Sequence, residues 1–308
     1  MRYAVLFPGQ GSQTVGMGED LFAARPDLLG QAADDVLGWS LRELCSQGPA
    51  EDLTRTDKAQ PALFALSYAL WEELSRALSH PPMAAAGHSL GEYTALAAAG
   101  AFAYIDGLRL VAARGRAMDE AARREASGMA VVLGIDAAAA QLIAARRRDT
   151  GGRLWVANLN APGQVVLAGG ADDIGWLTHN ARDLGVRRVI PLDVAGAFHS
   201  PFMAPAATEL RHALAATELG VPRFPVIANT TAEPMGDIAE TLERQLVEPV
   251  RFADSLLGMA DRGVEAFVHV GPGDVTAGLA KRAMPGASVV TVSAIADIAE
   301  TAEVLAVQ

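Results

Sequence analysis

The sequence predicts an α/β protein in which one parallel-sheet domain is interrupted once by a small β-α-β-β-α-β unit. Three observations predict it. Apolar runs of strand length alternate with helical patterns towards both ends of the chain, the pattern of parallel strands joined by helices. The first run, Tyr3 to Phe7, ends in Pro8-Gly9-Gln10-Gly11-Ser12, a strand feeding a glycine-rich loop. Residues 126–195 keep a different rhythm, with two strand patterns in direct succession between two helical ones, as in a ferredoxin-like unit. The chain has 308 residues, enough for about two domains and for a large core without covalent staples.

After the first strand, Leu63, Leu66, Leu70, Leu74 and Leu78 recur at three- and four-residue spacing. They predict a helix over Gln60 to Leu78, stopped by Pro81-Pro82. Met83 to Gly87 then leads as a strand to Ser89, and Leu90 to Ala99 reads as a helix. In the middle unit, strand patterns fall at Met129 to Ile135, Leu154 to Leu159, Gln164 to Ala168 and Arg187 to Val194. Its helices are Asp136 to Arg148, with Asp136 as N-cap, and Asp172 to Leu184. Asn160-Ala161-Pro162-Gly163 composes a turn between its central strands. Beyond the unit, Phe202 to Leu214, Ile238 to Leu246 and Asp274 to Ala283 read as helices. Phe224 to Asn229, Val264 to Val270 and Val289 to Ser293 read as strands. The predicted division is 1–125 with 196–308 as one parallel-sheet α/β subdomain and 126–195 as the small ferredoxin-like insert.

Composition excludes several function classes. Lys plus Arg is 25 and Asp plus Glu is 36, a net charge of 25 − 36 = −11. This balance argues against general nucleic-acid binding, which needs a basic field, and leaves room only for a local basic patch. The longest uncharged run, Leu154 to Ala171, holds Asn, Gln, Pro and several Gly, so it is no membrane span of about 20 apolar residues. Tyr3 to Phe7 is too short for a signal-peptide core. Cys45 stands alone, which rules out an intrachain disulfide and a cysteine zinc cluster. The expectation is a soluble, cytoplasmic protein with no metal, no nucleic acid and no membrane partner.

The sharpest chemical signal is Gly87-His88-Ser89-Leu90-Gly91, a G-x-S-x-G sequence between a predicted strand and a predicted helix. In that setting a serine sits on a tight turn, and glycines are needed where neighbouring backbone comes too close for a side chain. The helix N-terminus is aimed at the oxygen of a tetrahedral intermediate, with the Leu90 N–H as one donor. A nucleophilic serine needs a base. His88 would point away from Ser89 along an extended chain. His80, His179 and His212 lie in stretches that favour a solvated role. His199, in Gly196-Ala197-Phe198-His199, and His269, in the strand Phe267 to Val270, both fit a late histidine, and chain order alone does not separate them.

Seven segments taken together resemble the malonyl-CoA:acyl carrier protein transacylase family. They are Phe7-Pro-Gly-Gln-Gly-Ser-Gln13, Gly87-His-Ser-Leu-Gly-Glu-Tyr93, Ala113-Arg-Gly-Arg116, Asn160-Ala-Pro-Gly-Gln164, Gly196-Ala-Phe-His199, Gln245-Leu-Val-Glu-Pro-Val250 and Val270-Gly-Pro-Gly273. The resemblance runs from Tyr3 to about Met284. It implies an α/β-hydrolase-like large subdomain carrying a ferredoxin-like small one. It also implies Ser89 as nucleophile, His199 as base, and a main-chain carbonyl at Gln245 to orient the histidine in place of an acidic triad member. The oxyanion donors implied are the N–H groups of Gln10 and Leu90. Arg114 corresponds to the clamp for the malonyl carboxylate, and Gln60, Asn160 and Phe198 to pocket positions.

The implied activity is two-step transfer of malonyl from coenzyme A thioester to the phosphopantetheine thiol of acyl carrier protein, with no resident cofactor. A bulky residue at Phe198 implies preference for malonyl over methylmalonyl. Glu248, where the family often has Asn, is a departure that adds charge near the site. Lys281-Arg282 and Arg187-Arg188 are candidate docking patches for an acidic carrier. Alternatives are an acyltransferase serving a polyketide synthase or malonate decarboxylase, and a serine thioesterase or esterase using the same pair.

Overall fold

The computed structural model of the protein describes residues 1–306. Its first sheet is built from β1 (Tyr3–Phe7) and β2 (Ala84–Gly87), and its second from β3 (Ser127–Leu133), β4 (Leu154–Ala161), β5 (Gln164–Gly170) and β6 (Arg188–Pro191). β7 (Ala266–Val270) and β8 (Ser288–Val292) complete the first sheet, which is parallel with order β2-β1-β7-β8. Every residue of β1, β2 and β7 is buried, which is why they read as continuous apolar runs rather than alternating ones.

The second sheet is antiparallel with order β4-β5-β3-β6, and helices Ala137–Asp149 and Ala171–His179 connect its strands. This is the β-α-β-β-α-β arrangement expected from the sequence. Asp136 caps the first of these helices by accepting from the Ala139 N–H. The turn between β4 and β5 shrinks to Pro162-Gly163, with Gly163 at φ 72°.

The leucine-spaced helix runs from Thr56 to Ala77 and packs on the helix Tyr104–Arg123. Pro61 lies inside this helix, so the Asp57 carbonyl lacks the N–H that would pair with it four residues on. Residues 19–54 form five helices of four to seven residues, Glu19–Ala24, Pro26–Leu29, Gln31–Leu37, Leu41–Gln47 and Ala50–Thr54. Each is too short to display a helical period, so none was legible in sequence.

One expected strand is absent. Phe224 to Asn229 forms only isolated bridges, Ala85 with Val226 and Ile227 with Pro234. Pro225 has no N–H to extend a ladder, although its carbonyl accepts from Ala85.

The loop after β1 and the turn after β2 leave the carboxyl ends of adjacent parallel strands, paired at Phe7 and Gly87. In open parallel sheets that edge is where sites are built. Residues of the antiparallel sheet, among them Met129, Val131 and Val166, close the opposite wall of the same cavity.

Candidate active site

Backbone geometry singles out two residues first. Among the described residues, three non-glycines have positive φ, and two of them are Ser89 at 52° and His199 at 55°. Such a conformation costs about 1–3 kcal/mol and persists only where the surroundings impose it. At Ser89 they do. A Cβ on Gly87 would fall 1.9 Å from the Gly91 carbonyl carbon, and one on Gly91 would fall 2.2 Å from the Phe7 oxygen. The turn can therefore close only with glycine at both positions, the spacing that the pentapeptide supplies.

The two strained residues meet. His199 Nε2 lies 2.8 Å from Ser89 Oγ, and His199 Nδ1 lies 2.8 Å from the Gln245 main-chain oxygen. A carbonyl only accepts, so Nδ1 carries the ring hydrogen and Nε2 presents its lone pair to the serine hydroxyl. Burial first, and the Arg114 cation second, press the imidazole down to about 3. The ring thus stands neutral beside the hydroxyl, in the tautomer able to take its proton. His269 is elsewhere occupied, with its ring nitrogens paired to Thr276 Oγ1 at 2.5 Å and the Gly271 oxygen at 3.1 Å. His88 turns to Asn160, donating from Nε2 to Oδ1 at 2.8 Å.

Arg114 does not share the solvated face of its helix with Arg109, which pairs with Asp106 at 2.8 Å on the surface. Its side chain is fully buried. It donates to Gln60 Oε1 at 2.6 Å, Gln245 Oε1 at 2.9 Å and Ser89 Oγ at 3.0 Å, and its guanidinium carbon lies 5.1 Å from the centre of the Tyr93 ring. All three acceptors are neutral, and among the described residues no carboxylate forms an ion pair with it. Gln60 is therefore a partner of the guanidinium.

A cavity of ≈ 320 Å³ gathers Ser89, His199, Arg114, Gln60, Asn160, Phe198, Gln10 and Leu90 on its walls. The main-chain N–H groups of Gln10 and Leu90 reach no protein acceptor among the described residues. They are therefore available to a negative oxygen in the cavity. Gln245 stands behind the wall. Glu248 turns to Arg244 at 2.8 Å on the surface, so its charge is directed away from Arg114.

Two polar residues of this constellation carried no assigned role in the sequence reading. Asn229 accepts from the Ser89 N–H at 2.8 Å and donates from Nδ2 to the Gly87 oxygen at 2.7 Å, tying both sides of the turn. Glu92 is fully buried and is pushed up to about 8 by that burial. Glu92 follows the pentapeptide directly, so a charged residue opening an otherwise apolar helix was the available signal. Asn229 offered none, since a lone asparagine in a proline-rich stretch is ordinary.

The acyl transferase domain family matches residues 5–299. A malonyl CoA-acyl carrier protein transacylase of Bacillus subtilis is 42% identical over 286 residues, 91% of this chain and 90% of the relative. The chain belongs to the malonyl CoA-acyl carrier protein transacylase family. A transacylase of the same name from Escherichia coli K12 is 40% identical over 91% of this chain and 92% of its own length. Among solved structures, an acyl carrier protein S-malonyltransferase of Vibrio cholerae superposes with a TM-score of 0.92 at 36% identity, over 98% of this chain and all of that one. A malonyl-transacylase solved in complex with its type II PKS acyl-carrier protein superposes at 0.93 with 36% identity, over 98% of this chain and 99% of that one. The large parallel-sheet part and the antiparallel unit of this transacylase thus follow a two-part α/β fold shared with these enzymes.

Proposed function

We propose that this transacylase moves malonyl from malonyl-CoA to the phosphopantetheine thiol of an acyl carrier protein through a malonyl ester on Ser89. The observation that carries the reading is Arg114. A cation buried beside a nucleophile with only neutral partners is a costly arrangement. It becomes favourable when the substrate supplies a carboxylate for two parallel N–H donors.

In the first step the Ser89 hydroxyl gives its proton to His199 Nε2 as Oγ attacks the thioester carbon. The tetrahedral oxygen takes its hydrogen bonds from the Gln10 and Leu90 N–H groups. Collapse expels coenzyme A, whose sulfur receives the proton from His199, and leaves the malonyl-serine ester. In the second step the carrier's thiol gives its proton to His199 and attacks the ester, and the proton returns to Ser89 Oγ. No step needs a metal or a resident cofactor. No helix among the described residues is long and apolar enough to cross a membrane. The partner we assign is the carrier protein of fatty acid synthesis, in the cytoplasm, on the Gly91-Glu92-Tyr93 sequence that follows Ser89 and the match over nearly the whole chain. Lys281 and Arg282 lie exposed in the last turn of the helix Val275–Ala283, and Arg282 donates to Gln164 on the rim of the cavity at 2.8 Å. That pair is our choice for the carrier's docking patch.

The test is acceptor dependence. With malonyl-CoA alone, about one equivalent of coenzyme A should be released per enzyme, with sustained turnover only after phosphopantetheinylated carrier is added. Release at the same rate without carrier would identify a thioesterase instead.

Phe198 is buried against the cavity immediately before the base. Its ring occupies the volume that an α-methyl group would need. Phe198→Ser should raise methylmalonyl transfer relative to malonyl by roughly tenfold, the range that one methyl commands in an apolar pocket. An unchanged ratio in competition assays would remove Phe198 as the determinant.

A further inference from the structure

Glu92 lies fully buried in the first turn of the helix Gly91–Ala98 and takes no part in the chemistry described above. A buried carboxyl group is expensive unless its oxygens are satisfied. Here both are. Oε1 accepts from the Asn229 main-chain N–H at 2.7 Å, and Oε2 accepts from Gln245 Nε2. The same Nε2 donates to the Ser89 main-chain oxygen at 2.8 Å, while Gln245 Oε1 accepts from Arg114 at 2.9 Å.

An amide side chain has one donating end and one accepting end, the Ser89 carbonyl only accepts, and Glu92, with an N–H facing each of its oxygens, accepts at both. Glu92 and the Ser89 oxygen together therefore require the amino group of Gln245 to face inward. The Gln245 oxygen must then face Arg114. Reversed, the amide would set its NH₂ against a guanidinium, donor against donor, and its oxygen against two acceptors. Arg114 would keep Gln60 as its one acceptor among the glutamines.

We propose that Glu92 is a positioning residue for acyl selection: by fixing the orientation of the Gln245 amide it aims the Arg114 guanidinium at the carboxylate of the incoming acyl group. The other end of Glu92 serves the nucleophile. Its hold on the Asn229 main chain fixes the residue whose side chain receives the Ser89 N–H. This inference rests on malonyl transfer at Ser89, and it concerns the discrimination of that transfer rather than its occurrence.

Glu92→Gln tests it with almost no change of volume. The new amide can still accept from Asn229 only by pointing its NH₂ at Gln245, which must then reverse. The ratio of kcat/KM for malonyl-CoA to that for acetyl-CoA should fall roughly tenfold, the scale of one hydrogen bond to a charged group. The fall should be carried by KM for malonyl-CoA. In a Gln245→Met background the main-chain carbonyl for His199 remains but the amide does not, and Glu92→Gln should there leave the ratio unchanged. An equal loss for both thioesters would overturn the proposal, as would the same fall in ratio in both backgrounds. Should Glu92→Gln fail to fold, Gln245→Met alone decides, because the relay requires it to lower the ratio by the same factor and an unchanged ratio refutes the relay. Failure of the malonyl-transfer reading would look different, as no malonyl adduct would form on the unsubstituted protein.

Discussion

Arg114→Ala is expected to lower kcat/KM for malonyl-CoA by roughly 10²–10³ and to erase the preference for malonyl-CoA over acetyl-CoA. Removing one partner of a buried, hydrogen-bonded ion pair costs about 3–5 kcal/mol, and each 1.4 kcal/mol is a factor of about ten. The loss falls on malonyl because acetyl has no carboxylate to strand. Arg114 also donates to Ser89 Oγ at 3.0 Å before substrate arrives. A carboxylate that recruits this donor releases a lone pair of the nucleophile, so part of the discrimination should appear in kcat as well as in KM. Parallel acylation assays with the two thioesters check this. A proportional fall for both would show that Arg114 supports the fold and not the choice of acyl group.

His199→Ala is expected to slow acylation by about 10²–10⁴, the contribution of one positioned general base. Its pH behaviour is the more specific expectation. The folded pKa is depressed to about 3, so the neutral, basic form persists far below the ordinary histidine value of about 6.5. The rate of coenzyme A release should therefore show no acid limb centred near 6.5. The sign for stability is the opposite. Below about 6.5 the unfolded chain binds a proton at this histidine and the folded one does not until about 3, so folding stability declines as pH falls through that window. A limb near 6.5 in the acylation profile would place His199 in a wetter setting than the one described.

The parts of this molecule legible in sequence are those whose cause is local. The strand Tyr3–Phe7, the leucine-spaced helix and the succession of strands and helices along the insert follow from periodicity, and the elbow follows from two glycines that backbone crowding makes obligatory. The histidine was not legible this way. His199 and His269 satisfy the same chain-order logic, and only three-dimensional contact, or resemblance to a family, separates a base from a core residue. Gln245 shows why some roles leave no trace. Its main-chain carbonyl accepts from His199 Nδ1, a contact any residue could make, while its side chain meets Arg114 and Glu92 over 131 and 153 residues. Arg114 reads from sequence as one of several arginines on a solvated helix, and what distinguishes it is burial imposed by the neighbouring helix. The expected strand at Phe224 to Asn229 failed for a local reason that was visible, a proline in its second position.

Transfer through Ser89 is read most directly by intact-mass measurement and peptide mapping of the protein mixed with malonyl-CoA, then with phosphopantetheinylated acyl carrier protein. A single malonyl adduct is expected on the peptide containing Ser89, absent in Ser89→Ala, and it should disappear as an equal amount of malonyl-carrier appears. An adduct on another residue, or one that decays at the same rate whether or not carrier is present, would contradict it.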